Sequence, residues 1–318
     1  MSDRLEGVYG IIPTPAKEGA DRWDAVDTVD LSETERLVER MIADGVAGFI
    51  ALGTTGESAT LRPDEYRQVA DCVVSTVAAR VPTFIGATAL GLHEVVDRVR
   101  FVRDLGAQGA LVGLPMWQPL THEMAVSYYA RLSEAFPQLP VMVYANQRAF
   151  RFAFDAAFWS AVSAAAPTVR SAKFSNPAKL LEFEAAAGQV QFLPHETALH
   201  RFYELSPERT TACWSTAASM GPEPALAIMG AIRDGADERA RAIAADLDHA
   251  MEPIDALVAN PEVFASYNIQ IEKARMDAAG YCTAGPCRPP YDSLPGEYAE
   301  AAAENARRWV ELRQRYAA

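Results

Sequence analysis

Lysine is scarce in this chain. Of 29 basic residues only four are lysines: Lys17, Lys173, Lys179 and Lys273. Lys17 falls in a polar opening loop, and Lys179 and Lys273 in stretches that read as helical. Lys173 alone stands at the end of a short strand-like run, Thr168-Val169-Arg170-Ser171-Ala172-Lys173-Phe174. An ammonium at a strand end in a partly apolar pocket loses hydration, and its pKa falls. The free amine can then attack a ketone and form a Schiff base. A solvated or ion-paired lysine is the plain alternative. Other chemistry-bearing residues fall at similar places. Gly53-Thr54-Thr55-Gly56-Glu57 can turn tightly and present N–H groups and threonine hydroxyls to a small carboxylate, although a plain strand-to-helix turn fits as well. Tyr144 can relay protons or simply pack as a core aromatic. Trp117 can wall a pocket or pack.

These residues need elements to position them. Short apolar runs predict strands over 10–14, 48–52, 83–87, 110–114, 141–145, 169–174, 190–193 and 211–214. Between them lie helical patterns over 32–43, 63–79, 92–105, 123–135 and 155–165. Ser32 with Glu35 reads as a capping box, and Gly45 and Gly106 as residues just past helix ends. Eight strands alternating with helices predict an α/β fold, a (β/α)8 TIM barrel closed by parallel strands. The competing fold, an open doubly wound sheet, lacks a GxGxxG after its first strand. Beyond Pro222 the pattern is purely helical, over 225–233, 237–257, 261–278 and 297–316. The division is therefore a catalytic barrel region over 1–222, then the last barrel helix and a C-terminal helical extension over 223–318. In a barrel the chemistry belongs at the carboxyl ends of the strands, where Thr54, Thr55, Trp117, Tyr144, Asn146 and Lys173 all fall.

The 318 residues carry a net charge of −13, which argues against nucleic acid or an anionic membrane surface as the main partner. Cys72, Cys213, Cys282 and Cys287 form no CxxC pair and read as reduced thiols in a cytoplasmic protein. The polar N-terminus has no apolar signal core, and no stretch reaches membrane-spanning length. The five histidines show no HxH or HExxH spacing, so no metal is expected. His195-Glu196 invites a metal or acid–base reading, but a supporting role is the simpler one. Arg288-Pro289-Pro290 reads as a rigid loop over the barrel mouth or a subunit contact. The stretch from Glu300 to Arg315 reads as a solvated helix.

Taken together, Ile12-Pro13-Thr14-Pro15, Gly53-Thr54-Thr55-Gly56-Glu57, the tyrosine strand and Lys173 resemble the class I pyruvate aldolases, the family of dihydrodipicolinate synthase and N-acetylneuraminate lyase. The resemblance spans nearly the whole chain. It implies that Lys173 forms the Schiff base, Tyr144 relays protons, and Thr54-Thr55 hold the carboxylate of pyruvate.

A narrower resemblance rests on Pro115-Met116-Trp117-Gln118, Tyr144-Ala145-Asn146, Ala149-Phe150-Arg151-Phe152, Ala212-Cys213-Trp214-Ser215 and the run Gly285 to Tyr291. These are similar to the trans-o-hydroxybenzylidenepyruvate hydratase-aldolases of bacterial aromatic hydrocarbon breakdown. The implied reaction cleaves an arylidene pyruvate, with water, into an aromatic aldehyde and pyruvate. No cofactor is implied beyond the covalent Schiff base on Lys173. The partners are then small molecules, a 2-oxo acid and an aromatic aldehyde, and the family implies a homotetramer. Dihydrodipicolinate synthases usually carry an arginine five residues after the tyrosine. Here that place is Ala149, beside Phe150, an apolar pair better suited to a ring. Trp117 and Phe150 are expected to form the aromatic pocket, and Asn146 and Asn268 to hold the added water or a ring substituent. Turn formation at Asn146 and helix packing at Asn268 are the alternatives. The departure from this group is Gln147-Arg148, where Pro followed by an acidic or small residue is expected. A sugar-acid aldolase or dehydratase, and a ligand-binding paralogue without activity, are the competing functions.

Overall fold

The computed structural model describes residues 4–317; residues 1–3 of the polar opening and residue 318 lie outside the described residues. Eight short strands carry most of the apolar runs: β1 (Gly7–Ile11), β2 (Gly48–Ala51), β3 (Thr83–Gly86), β4 (Gly109–Val112), β5 (Val141–Tyr144), β6 (Val169–Lys173), β7 (Gln191–Leu193) and β8 (Ala212–Ser215). All are parallel to their neighbours, in the order β7-β6-β5-β4-β3-β2-β1-β8. Every residue of β2, β3, β4 and β5 is buried, which is why these runs are continuously apolar and do not alternate. The ring closes between β7 and β8 through a parallel bridge from His195 to Trp214. There the Trp214 N–H donates to the Pro194 carbonyl at 2.9 Å. The result is a nearly closed (β/α)8 barrel.

The crossovers are helical: α1 (Leu31–Ala43), α2 (Pro63–Val77), α3 (Leu92–Asp104), α4 (His122–Ala135), the single turn α5 (Gln147–Phe150), α6 (Ala156–Ala165), α7 (Leu180–Ala186), α8 (Leu199–Leu205) and α9 (Glu223–Arg233). Strand and helix boundaries fall within three residues of those read from sequence, except that α5, α7 and α8 were not foreseen. The cap of α1 also differs from the expected Ser32. It is Asp30, whose carboxylate accepts from the Glu33 N–H at 3.0 Å. Gly45 and Gly106 do lie just past α1 and α3, with positive φ.

Three further helices follow, α10 (Asp237–Ala259), α11 (Pro261–Ala279) and α12 (Gly296–Tyr316). They share a core with the barrel. The α12 helix is not simply solvated: Ala302, Asn305, Ala306, Trp309 and Leu312 form a buried face. Trp309 is fully buried and donates its indole N–H to the Gly221 carbonyl at 3.0 Å.

A buried ion network fastens this extension to the barrel mouth. The Glu57 carboxylate, fully buried, receives Lys273 Nζ from α11 at 2.7 Å and Arg288 Nη1 at 2.5 Å. The Arg288 backbone N–H adds a third donor at 2.8 Å. Arg288 also donates to Thr28 Oγ1 at 2.7 Å, so its loop is anchored within the chain. Leu52 and Glu57 both hold positive φ, of 57° and 51°, which bulky residues adopt only when the surroundings over-determine them. Gly56 is required between them, because a Cβ there would sit 2.7 Å from the Leu52 nitrogen. The Thr14 hydroxyl donates to the Gly56 carbonyl at 2.7 Å and ties the turn to the loop after β1.

Glu57→Gln keeps the size of the side chain but leaves two buried cations without a counter-charge. Removing one partner of such a network costs roughly 3–5 kcal/mol. Urea unfolding should show a loss of that order; a change below about 0.5 kcal/mol, the level of an ordinary surface substitution, would contradict the network's role.

Candidate active site

The carboxyl end of the barrel opens into a cleft with two connected lobes, of about 640 and 290 Å³. Thr54, Tyr144, Asn146, Arg148, Phe264 and Asn268 line both, so the lobes are one site. Lys173 lies in the larger lobe. Its strand pairs with β5 so that Tyr144 and Lys173 are direct neighbours across the ladder.

The Lys173 amine sits 3.4 Å from the ring centroid of Trp214 and 4.8 Å from that of Tyr144. The Trp214 ring is itself fixed. Its indole N–H donates to the Leu193 carbonyl at 3.0 Å, and the His195 ring packs edge-on at 4.5 Å. Burial pushes the Lys173 pKa below the ordinary lysine value; the charges of Tyr144, Glu272 and Glu196 oppose this without reversing it. The Tyr144 hydroxyl pairs with Thr54 Oγ1 at 2.9 Å, with Asn146 Nδ2 at 3.4 Å. Burial pulls the phenol upward, but the Lys173 charge, Thr54, Asn146 and Arg148 together outweigh it, and the phenol is more acidic than usual. The amine and the phenol thus lie side by side, each with its pKa below the ordinary value.

Thr54 and Thr55 line the larger lobe beside Lys173, as the sequence reading places them. Asn146 does two things at once. Its amide oxygen caps α5 by accepting from the Ala149 N–H at 3.1 Å, and its amide nitrogen faces Tyr144. Asn268, on α11, lines both lobes. Phe150 lines the smaller lobe, edge-on to Tyr144 at 5.5 Å. It reaches that place because Gly113 has no side chain; a Cβ there would lie 2.0 Å from the Phe150 ring.

Trp117 is the correction. It borders neither lobe and is 78% exposed. Arg151 donates to the Met116 carbonyl at 2.6 Å and the Trp117 carbonyl at 2.8 Å, which fixes the loop with Met116 inward. The apolar wall of the smaller lobe is instead Met116, Ala149, Phe150, Phe264 and Ile269. Phe264 was not singled out from sequence, and Met116 and Trp214 entered only within motifs, without a role in the site, although Trp214 carried the usual signal of a strand end.

His195 and Glu196 are engaged with each other. His195 Nε2 lies 2.7 Å from the fully buried Glu196 carboxylate, and Nδ1 lies 2.8 Å from Thr197 Oγ1. Neither ring nitrogen is free for a ligand. Among the described residues no group of three or more His, Cys, Asp or Glu side chains could hold a metal ion. No helix among them is long and apolar enough to cross a membrane.

The barrel thus ends its sixth strand in a lysine of lowered pKa, paired across the ladder with a tyrosine at the mouth of the cleft. Residues 20–149 match the model of the dihydrodipicolinate synthetase family. The trans-o-hydroxybenzylidenepyruvate hydratase-aldolase of Pseudomonas aeruginosa is 39% identical over 99% of this chain and 95% of its own length. The trans-2'-carboxybenzalpyruvate hydratase-aldolase of Nocardioides sp. (strain KP7) is 39% identical over 99% and 96%. The solved structure of PhdJ bound to a substrate intermediate superposes with a TM-score of 0.95 at 37% identity, covering 99% of this chain and 98% of the other. The chain belongs to the dihydrodipicolinate synthetase family.

The lowered Lys173 pKa predicts a stability effect with a definite sign. Between its folded pKa and the ordinary 10.5, the unfolded chain binds more protons than the folded one. Folding stability from this residue is therefore full above 10.5 and is lost as pH falls through the folded value. Lys173→Met keeps the apolar stem and removes the charge. It should raise the thermal midpoint at neutral pH, with a gain that shrinks as pH approaches 10.5. An unchanged midpoint, or a gain independent of pH, would mean that Lys173 is not held desolvated.

Proposed function

We propose that this protein is a Schiff-base-forming hydratase-aldolase, a lyase that cleaves an arylidene pyruvate, with water, into an aromatic aldehyde and pyruvate. The observation that carries this reading is the desolvated Lys173 amine on the Trp214 ring, beside the Thr54–Tyr144 pair and next to an apolar lobe. The relatives named for hydratase-aldolase activity, which match the whole length of the chain, support it.

The chemistry follows from the residues. Thr54 and Thr55 receive the 2-oxo acid carboxylate with neutral donors. The neutral amine of Lys173 attacks the ketone, and loss of water leaves an iminium conjugated to the alkene. Its positive nitrogen is the electron sink, so no metal or other cofactor is needed. Water then adds to the remote alkene carbon, with Tyr144 relaying the proton and Asn146 and Asn268 holding the incoming oxygen. Retro-aldol cleavage breaks the carbon–carbon bond, releases the aldehyde and leaves an enamine. Tyr144 returns a proton to the enamine carbon, and hydrolysis frees pyruvate and the amine. The smaller lobe, with Met116, Phe150 and Phe264, takes the aryl ring. Trp117 has no part in this pocket. The same reading makes the protein a cytoplasmic homotetramer of small-molecule catabolism, as the family resemblance implies.

Burying an aryl ring against this wall contributes about 2 kcal/mol at roughly 25 cal/mol per Å². The expected result is about a thirtyfold preference in kcat/KM for benzylidenepyruvate over a sugar-derived 2-oxo acid. In Tyr144→Phe, turnover of the arylidene pyruvate should fall roughly 10²- to 10⁴-fold. Better cleavage of the sugar acid by the wild type would overturn the aryl assignment, and near-normal turnover in Tyr144→Phe would leave the tyrosine a packing residue.

A further inference from the structure

The chemistry above gives no task to His195 and Glu196, the pair that follows β7. Their place is unlike that of a surface ion pair. The Glu196 side chain is fully buried and the His195 side chain 16% exposed, and His195 lines the lobe that holds Lys173. The Glu196 carboxylate also accepts from the Ala217 N–H at 3.3 Å, in the turn after β8. The His195 backbone N–H donates to Ser175 Oγ at 2.7 Å, just past β6. The pair therefore ties together the ends of β6, β7 and β8. The His195 ring packs edge-on to Trp214, on whose face the Lys173 amine sits.

The contacts give this pair an adjustable charge. His195 Nε2 lies 2.7 Å from a Glu196 oxygen, a separation that two bare acceptors do not keep, so Nε2 carries a hydrogen. Nδ1 lies 2.8 Å from the Thr197 hydroxyl, which can donate to it or accept from it. The imidazole can thus take up a proton at Nδ1 without losing a partner. Burial pulls the Glu196 carboxyl upward, and His195 and Arg275 together bring it below the ordinary range, so it is ionised. A neutral histidine leaves the pair with one negative charge; an imidazolium makes it neutral. The groups facing the pair are Lys173 from β6, the buried Cys213 thiol from β8 and Arg275 from α11. Burial lowers the Lys173 pKa, and Tyr144 from β5, Glu272 from α11 and Glu196 oppose it. Of the two carboxylates, Glu272 is balanced by Arg275, whose guanidinium keeps its proton. Glu196 is balanced by a histidine, the side-chain type that exchanges its proton most readily.

We propose that His195 and Glu196 are positioning residues for the lyase reaction: the pair seats Trp214 against the Lys173 amine, and the His195 proton sets how much negative charge that amine feels. With His195 charged, the amine faces a balanced pair and stays free to attack the ketone. With His195 neutral, Glu196 draws a proton onto the amine. The inference rests on the Schiff-base reading of Lys173 and adds to it the group that regulates the nucleophile.

The test follows the acid limb of the pH profile of kcat/KM for benzylidenepyruvate, which reports the proton on the amine of the free enzyme. Glu196→Gln keeps the shape of the side chain and removes its charge, so the limb should move to lower pH. His195→Phe keeps a ring beside Trp214 but leaves the carboxylate unbalanced, so the limb should move to higher pH. Thr197→Val is a milder change that takes away the partner of the Nδ1 proton, and it should move the limb in the same direction as His195→Phe. In the Glu196→Gln background, His195→Phe should cause no further shift. On the acid limb, with each variant scaled to its own alkaline plateau, Glu196→Gln should exceed His195→Phe in kcat/KM by roughly tenfold, the effect of one nearby charge on an amine. Variants that lose activity equally at every pH, with an unmoved limb, would reduce the pair to a structural role and overturn the proposal. Limbs that move in the same direction in Glu196→Gln and His195→Phe would overturn it as well. Should Glu196→Gln fail to fold, Thr197→Val decides: a limb that does not move to higher pH contradicts the proposal. A wild type that cleaves benzylidenepyruvate with a limb indifferent to all these changes would leave the hydratase-aldolase reading standing, and a wild type that cleaves none of it would overturn both.

Discussion

The contact between the Lys173 amine and the face of Trp214 is the constraint on which the rest of the structure depends. An indole face tolerates a cation, yet this partly buried site hydrates one less well than water does. The amine is therefore kept where losing its proton is easier than in water, which is the condition for attacking a ketone. The surrounding charges are set so that they do not undo this. Glu196 and Glu272 would each favour the protonated amine, but each is engaged by a partner, His195 in one case and Arg275 in the other.

That contact exists only because the barrel closes. Lys173 ends β6 and Trp214 lies on β8, with β7 between them. The β7–β8 seam is thin, a bridge at His195 and Trp214 in place of a full ladder. The indole hydrogen bond to Leu193 strengthens it at the level of the site. On the opposite side the helical extension braces the cleft. Its Lys273 and the following Arg288 hold Glu57, and Glu57 holds the strained turn that presents Thr54 to Tyr144. Asn268 and Phe264 of the same helix form part of the cleft wall.

Much of this was legible in the sequence for physical reasons. Strands buried on both faces leave continuous apolar runs, and a barrel puts its chemistry at their ends, so Thr54, Tyr144 and Lys173 could be placed before any geometry. What could not be read depends on direction and on distant contacts. Met116 and Trp117 are neighbours in the chain, and only the hold of Arg151 on their carbonyls decides that Met116 faces inward. Glu57 read as part of a carboxylate nest, but its partners lie in helix α11 and the loop beyond, which only the folded chain brings near. Asn146 admitted a turn reading and a binding reading; its amide oxygen caps α5, and its amide nitrogen faces Tyr144. The stacking of Arg148 on Phe264 had no local signal at all.

The account stands on the claim that Lys173 is a neutral, nucleophilic amine. The most direct measurement is borohydride reduction of the protein in the presence of pyruvate, followed by mass analysis of the peptides. Reduction of an imine fixes the carbon–nitrogen bond, so one pyruvyl-derived group should be found on the peptide carrying Lys173 and none on those carrying Lys17, Lys179 or Lys273. The absence of any adduct, or labelling that persists in Lys173→Ala, would contradict the account.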